Sequence, residues 1–285
     1  MDNIKLIAID IGGTLITDNN KLTDANLQVL KKVKEKNIKI ALITARMYSS
    51  TKYISKVIDA DYGVFGNGAS IIDLKNEKSL YSIFIPKECL RDLIEFANAE
   101  GIYVHLNQLF VETSDKKEYF AKKHIILNEQ YPEKLKSNIK IVDDLAKFSN
   151  NVDDVIKVVF VSNKNLDNFL QKLKNRFPNI FVTEYATNLY ENAIDETINY
   201  IEIGLSYSNK ADGLAQLLEI LGLKNENVLV IGDGDNDIEM LKNYKNSGCT
   251  ANGSVEAKKY AKYISSATNN DSGVAEIVKK FVKKL

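Results

Sequence analysis

Hydrophobic and polar positions alternate along this chain in two different rhythms. In the first third, short and almost wholly apolar runs are separated by stretches with helical spacing. "KLIAIDI" (5–11) and "IKIALITA" (38–45) read as buried parallel strands. Between them, "LTDANLQVLKKVKEKN" (22–37) repeats apolar residues at Leu27, Leu30 and Val33. Thr23 is placed to cap that helix, and Asp24 suits its first turn. "SSTKYISKVI" (49–58) reads as a second helix, and "YGVFGNGA" (62–69) as a third strand running into a glycine loop. A β-α-β-α-β order predicts a parallel sheet covered by helices.

The last third returns to this rhythm. "NKADGLAQLLEILGL" (209–223) has apolar residues at 214, 217, 218 and 221, as an amphipathic helix requires. "NVLVIGDGDND" (227–237) is an apolar strand breaking into an acidic loop; "DIEMLKNY" starts another helix, and "GVAEIVKKFVKKL" is an amphipathic segment. The middle third is different. "SLYSIFIP" (79–86), "GIYVHLN" (101–107), "LFVETS" (109–114), "VIKVVFVS" (155–162), "NIFVTEY" (179–185) and "INYIEIGL" (198–205) are strand-like. The helical segments "KECLRDLIEFANAE" and "NKNLDNFLQKLKNRF" lie between some of them. Strands joined this directly predict an antiparallel sheet in a smaller α+β domain. The expected fold class is therefore α/β, with a Rossmann-like parallel sheet core and an inserted α+β cap domain. The discontinuous core is expected over residues 1–83 and 204–285, and the cap over 84–203.

Composition narrows the function. Of 285 residues, 45% are hydrophobic, enough for a sizeable core. Lys+Arg and Asp+Glu both number 38, so there is no basic excess of the kind nucleic-acid or membrane-surface binding needs. Cys89 and Cys249 stand alone, without the spacing of a zinc site or a disulfide framework. The charged start "MDNIKLIAID" does not read as a signal peptide, and no apolar run approaches ~18 residues. A cytoplasmic, reduced protein is the expectation.

The chemistry should sit at the carboxyl ends of the parallel strands, where open α/β sheets bind ligands. The first strand ends at Asp10, the second at Thr44, Ala45 and Arg46, and the third at Gly66, Asn67 and Gly68. The late strand ends in "GDGDND", with Asp233, Asp235, Asn236 and Asp237; Lys210 stands at a helix start. Two acidic clusters, a hydroxyl and a lysine suit a phosphoryl group held with Mg²⁺, whose preferred ligands are hard oxygens. A carboxylate in such a site can attack phosphorus and form an aspartyl-phosphate. The alternating acids Asp233, Asp235 and Asp237 fail as a calcium loop, because Ile238 and Tyr244 stand where Gly and Glu are needed. Lys210 also reads as a solvated helix-start residue, His105 and His124 as packing or surface residues, and Tyr48, Tyr103, Phe110, Tyr185 and Tyr190 as core residues rather than substrate contacts.

In order, "DIGGTL", "TAR", a lysine before a helix and "GDGDNDIEML" resemble the four motifs of the haloacid-dehalogenase-like phosphatases. "FGNGA" (65–69) and "TANGSVEAKKYAKYI" (250–264) resemble the Cof-type branch, which carries a large α/β cap between its second and third motifs. The resemblance spans the chain and is most specific at 232–241. It implies that Asp10 is the nucleophile and a metal ligand, and that the Gly12 carbonyl and Asp233 also bind metal. It further implies that Thr44 and Asn236 contact phosphate, that Lys210 steadies nucleophile and phosphate, and that Asp237 supports the metal. Ala45 and Arg46 complete the expected phosphate-binding segment. The implied reaction is Mg²⁺-dependent hydrolysis of a small phosphorylated metabolite, such as a sugar phosphate, at a site between core and cap.

One position departs from this pattern. The family's first motif reads Asp-x-Asp-Gly-Thr, and its second Asp is the general acid/base; here that position is Gly12. General acid–base help is worth ~10²–10⁴ in rate. Three outcomes stay open: a slow phosphatase, a substrate such as an acyl phosphate whose leaving group needs no proton, or phosphate-ligand binding without turnover. Asp18 is the nearest other acid downstream. "AIDIGGT" also resembles the first phosphate loop of actin-like sugar kinases, but the chain has no second phosphate loop and no Gly-Gly adenosine loop of that type.

Overall fold

The computed structural model describes residues 3–115, 138–162, 165–178, 180–187, 199–205 and 208–283. His124 and Tyr190 lie outside the described residues. The chain divides into two compact units: Met1–Arg46, Ile54–Tyr81 and Ser208–Leu285 form the first, and Met47–Tyr53 with Ser82–Tyr207 the second.

The first unit is built on an eight-stranded sheet. Its strands are β1 (Leu6–Ile9), β2 (Lys39–Ile43), β3 (Tyr62–Phe65), β4 (Ser70–Asp73), β5 (Lys78–Ser82), β12 (Val228–Gly232), β13 (Asn246–Cys249) and β14 (Tyr263–Ile264). Their order across the sheet is β14-β13-β12-β1-β2-β3-β4-β5. The pairs from β14 to β3 are parallel. β4 turns back antiparallel on β3, a departure from the wholly parallel sheet the sequence predicts. Residues 79–82, grouped above with the strands of the middle third, belong instead to the edge of this sheet. The central strands are apolar on both faces because both are covered: all residues of β1 and β12 are buried. Leu6, Ala8, Ala41, Ile43, Val64, Val228 and Val230 pack with Leu214, Leu217, Met240 and Leu241.

Helix ends follow their caps. The Asp24–Glu35 helix starts where the Thr23 side chain accepts from the Asn26 amide, and the Lys210–Leu221 helix where Asn209 accepts from the Asp212 amide. Buried Asn26 ties its helix to two other segments: its Nδ2 donates to the Leu15 carbonyl at 3.2 Å, and its Oδ1 accepts from the Ala275 amide at 2.9 Å.

The second unit holds a six-stranded sheet of order β10-β11-β9-β6-β7-β8. Its strands are β6 (Tyr103–Gln108), β7 (Glu112–Ser114), β8 (Ile139–Ile141), β9 (Val155–Ser162), β10 (Ile180–Thr187) and β11 (Asn199–Leu205). The pairings are antiparallel as expected, except that β8, which has no clear strand pattern, runs parallel to β7. Helices Lys87–Ala99 and Asp167–Arg176 cover one face through Leu90, Leu93, Ile94, Phe169 and Leu173, against Val104, Leu106, Val158 and Phe160. The opposite face carries Tyr103, Asn107, Glu112, Ser114 and Lys157, all buried. Ser114 Oγ and Tyr103 Oη lie 2.7 Å apart, and Ser49 Oγ donates to the Glu112 carboxylate. Tyr48 and Phe110 meet edge to face at 5.8 Å, so these two aromatics serve packing.

The Lys210–Leu221 helix lies backbone to backbone on the turn after β3. A Cβ on Gly213 would fall 2.6 Å from the Gly68 Cα and from Val64 Cγ1, so only glycine permits that approach. Gly213→Ala is expected to destabilise the protein by about 1–3 kcal/mol through overpacking. That outweighs the ~1 kcal/mol that alanine gains inside a helix. Chemical denaturation measures it, and a variant as stable as the parent would contradict this packing.

Candidate active site

The register of the sheet brings together residues remote in sequence. Ile9 pairs with Ile231 on one side and with Leu42 on the other, and the Asp10 amide donates to the Ile231 carbonyl at 2.9 Å. Asp10, Thr44 and Asp233 therefore leave adjacent strands at one carboxyl edge. Gly13 takes φ +72°, and a Cβ there would come within 2.3 Å of Asp233 Oδ2. A glycine lets the Asp10 loop bend tightly past that carboxylate.

Lys210 is the hub. It is 1% exposed, and its Nζ donates to Asp10 Oδ1 and to Asp237 Oδ1, each at 2.7 Å. The reading of Lys210 as a solvated helix-start residue is corrected by that burial. Asp237 is fully buried; its Oδ2 accepts from the amides of Asp233 and Gly234, both at 3.0 Å, which holds the acidic loop in a tight turn. Asp10, Asp233 and Asp237 each present an oxygen within 4.8 Å of the others.

One ammonium against three carboxylates leaves two negative charges uncompensated. The consequence is visible at Asp10. Burial pushes its pKa up to about 7, Lys210 pulls the other way, and Asp237 and Asp233 add to the rise. Burial likewise raises Asp233, with Thr14 opposing and Asp237 reinforcing. Burial alone would lower Lys210, but Asp10 and Asp237 outweigh it and hold the side chain as an ammonium. All-oxygen donors with this charge deficit fit a hard divalent cation.

Thr44 is buried, and its Oγ1 accepts from the Arg46 amide at 3.2 Å; Ala45 is half-buried between them. Arg46 is exposed, with Nη2 donating to Asn20 Oδ1 at 3.5 Å. Asn236 is exposed on the loop between Asp233 and Asp237, and among the described residues it makes no hydrogen bond to the carboxylate cluster. Gly12 is exposed with ordinary extended dihedrals, φ −78° and ψ 127°. Asp18 is held elsewhere: its two carboxylate oxygens accept from Asn269 Nδ2 at 3.0 Å and Asn270 Nδ2 at 2.8 Å. Those amides lower its pKa. Asp235 is exposed and accepts from Ser254 Oγ at 2.6 Å.

Two contributors escaped the reading of single residues. Thr14 Oγ1 donates to Asp233 Oδ1 at 2.5 Å, and Asn252 Nδ2 donates to the Gly13 carbonyl at 2.7 Å. Thr14 lies inside "DIGGTL" and Asn252 inside "TANGS", so the signal for both was the motif itself.

Among known proteins, residues 7–278 match the family model of the haloacid dehalogenase-like hydrolases. The 5-amino-6-(5-phospho-D-ribitylamino)uracil phosphatase YitU of Bacillus subtilis is 24% identical over 97% of both chains. The phosphoglycolate phosphatase of Methanothermobacter thermautotrophicus is 22% identical, over 98% of this chain and 99% of its own. A crystal structure of a haloacid dehalogenase-like hydrolase from Bacteroides thetaiotaomicron superposes with a TM-score of 0.80 at 23% identity, covering 97% of this chain and 99% of that one. No helix among the described residues is long and apolar enough to cross a membrane.

Proposed function

The chain belongs to the haloacid dehalogenase-like hydrolases, and from that membership we propose a Mg²⁺-dependent phosphatase of small phosphorylated metabolites, working through an Asp10 phosphoenzyme. The observation that carries this reading is the ammonium of Lys210 held between Asp10 and Asp237, with Asp233 alongside. Family membership replaces the sugar-kinase alternative. Two curated phosphatase relatives matched along nearly their whole length support the reaction class. The free thiols Cys89 and Cys249 support a cytoplasmic location.

In this reading Asp10, Asp233, Asp237 and the Gly12 carbonyl hold the cation. When bound, it supplies Lewis-acid stabilisation of the phosphoryl oxygens. Asp10 offers one carboxylate oxygen to phosphorus while Lys210 restrains the other and neutralises charge on the phosphate. Thr44, Ala45 and Asn236 orient the phosphoryl group, Arg46 touches the rest of the substrate, and Asp237 keeps Lys210 in place. A second reading, a phosphate-ligand binding protein without turnover, is favoured by one observation: Gly12 carries no acid.

Phosphate release from a panel of phosphorylated metabolites decides between them, run with Mg²⁺ and with excess chelator beside an ATP-consumption assay. The expected result is Mg²⁺-dependent release that falls by at least about 10²-fold on metal removal. Tight binding without release would favour the second reading, and release indifferent to chelation would sink the first.

A further inference from the structure

Position 12 is vacant in a specific way. Apart from chain neighbours, a Cβ built on Gly12 would have one heavy atom within 4 Å, the Arg46 Nη2 at 3.7 Å. A guanidinium thus stands beside the place where the family's general acid would project. Its side-chain polar contact is the 3.5 Å one to Asn20, and among the described residues it forms no ion pair with a carboxylate. Its charge is available to a ligand. Asp18 cannot take over proton transfer, because two asparagine amides hold its oxygens away.

Arginine stays protonated at any working pH, so it cannot give a proton to a leaving alcohol. It can donate strong hydrogen bonds to an oxygen that leaves as an anion. We propose that this site takes phosphoryl donors whose leaving group departs as a stable anion, acyl phosphates above all, and that Arg46 meets that anion. The inference rests on the phosphatase reading above. In the first step an Asp10 oxygen bonds to phosphorus; the bond from phosphorus to the leaving oxygen breaks, and the electron pair departs with the carboxylate. No proton moves, and Arg46 offsets the new charge. In the second step a water oxygen bonds to phosphorus, the phosphorus–Asp10 bond breaks, and its electron pair restores the Asp10 carboxylate. The proton lost by the water passes to solvent, with no side chain at position 12 to receive it. That step is slow, so the phosphoenzyme accumulates.

The test uses the full chain with Mg²⁺, acetyl phosphate, a series of aryl phosphates and glycerol phosphate. Wild type is expected to show a burst approaching one equivalent of leaving group, with one phosphoryl group on Asp10 by intact mass. Its kcat/KM should fall steeply as leaving-group pKa rises. Arg46→Met is expected to slow phosphorylation by acetyl phosphate about 10²-fold, while phosphoenzyme breakdown stays close to wild type because no leaving group remains. A structural role for Arg46 would slow both steps alike, and that result overturns the assignment. Glycerol phosphate turned over as fast as acetyl phosphate overturns the substrate class alone. Turnover of acetyl phosphate that survives Asp10→Asn overturns the phosphatase reading and this inference with it.

Discussion

Asp10→Asn is expected to lose turnover by on the order of 10⁴-fold or more on every substrate, because an amide offers phosphorus no anionic oxygen. The fold should not suffer. Burial is the main reason the Asp10 pKa is raised to about 7, with Asp237 and Asp233 adding to the rise, and a neutral amide of the same shape avoids the cost of burying a charge there. Lys210 keeps its bond to Asp237. The thermal midpoint is therefore expected to hold or rise while activity disappears, as is common where a site is strained for its chemistry. Single-turnover phosphate release read beside thermal unfolding checks both halves. Residual activity near that of the parent would remove Asp10 from the mechanism.

The second large effect runs the other way. Gly12→Asp is expected to raise turnover of alkyl phosphomonoesters by ~10²–10⁴. The backbone there has dihedrals any residue adopts, and the nearest atom to a new Cβ stands at ordinary contact distance. Arg46 sets where in that range the gain falls. An ion pair with its guanidinium would keep the new carboxyl ionised, which favours activation of water over protonation of the leaving oxygen. Pairing Gly12→Asp with Arg46→Met is therefore expected to add to the gain on glycerol phosphate. Inorganic phosphate release measures it, and a folded variant with no gain would mean that proton transfer is not what this site lacks.

Much of this architecture was legible because its core strands obey local rules. The runs ending at Asp10 and at Gly232 are apolar throughout, so their carboxyl ends, and the acids that follow, could be placed on one sheet edge from pattern alone. Lys210 could be found by motif but not weighed, since one lysine among many looks solvated until the helix that carries it is seated. That seating depends on Gly213 meeting Gly68, a contact between residues far apart in sequence. The strand Asn246–Cys249, which lies between β12 and β14, hid for a similar reason. Its small residues lack strand character, and one of them is small because Ile277 from the closing helix lies 2.3 Å from where a Cβ on Gly248 would sit. Arg46 beside Gly12 and Asp18 beside Asn269 and Asn270 are tertiary accidents of the same kind, with no periodic signature.

The glycines of this centre are not equivalent. Those at 13 and 213 are part of the masonry, since any larger residue would collide with a carboxylate or a backbone. The one at 12 bears no such weight, and a glycine codon can become an aspartate codon by a single base change. Selection for a stable fold is therefore blind to what stands there. A lineage could trade one repertoire of substrates for another at this spot and trade it back, without the scaffold registering either event.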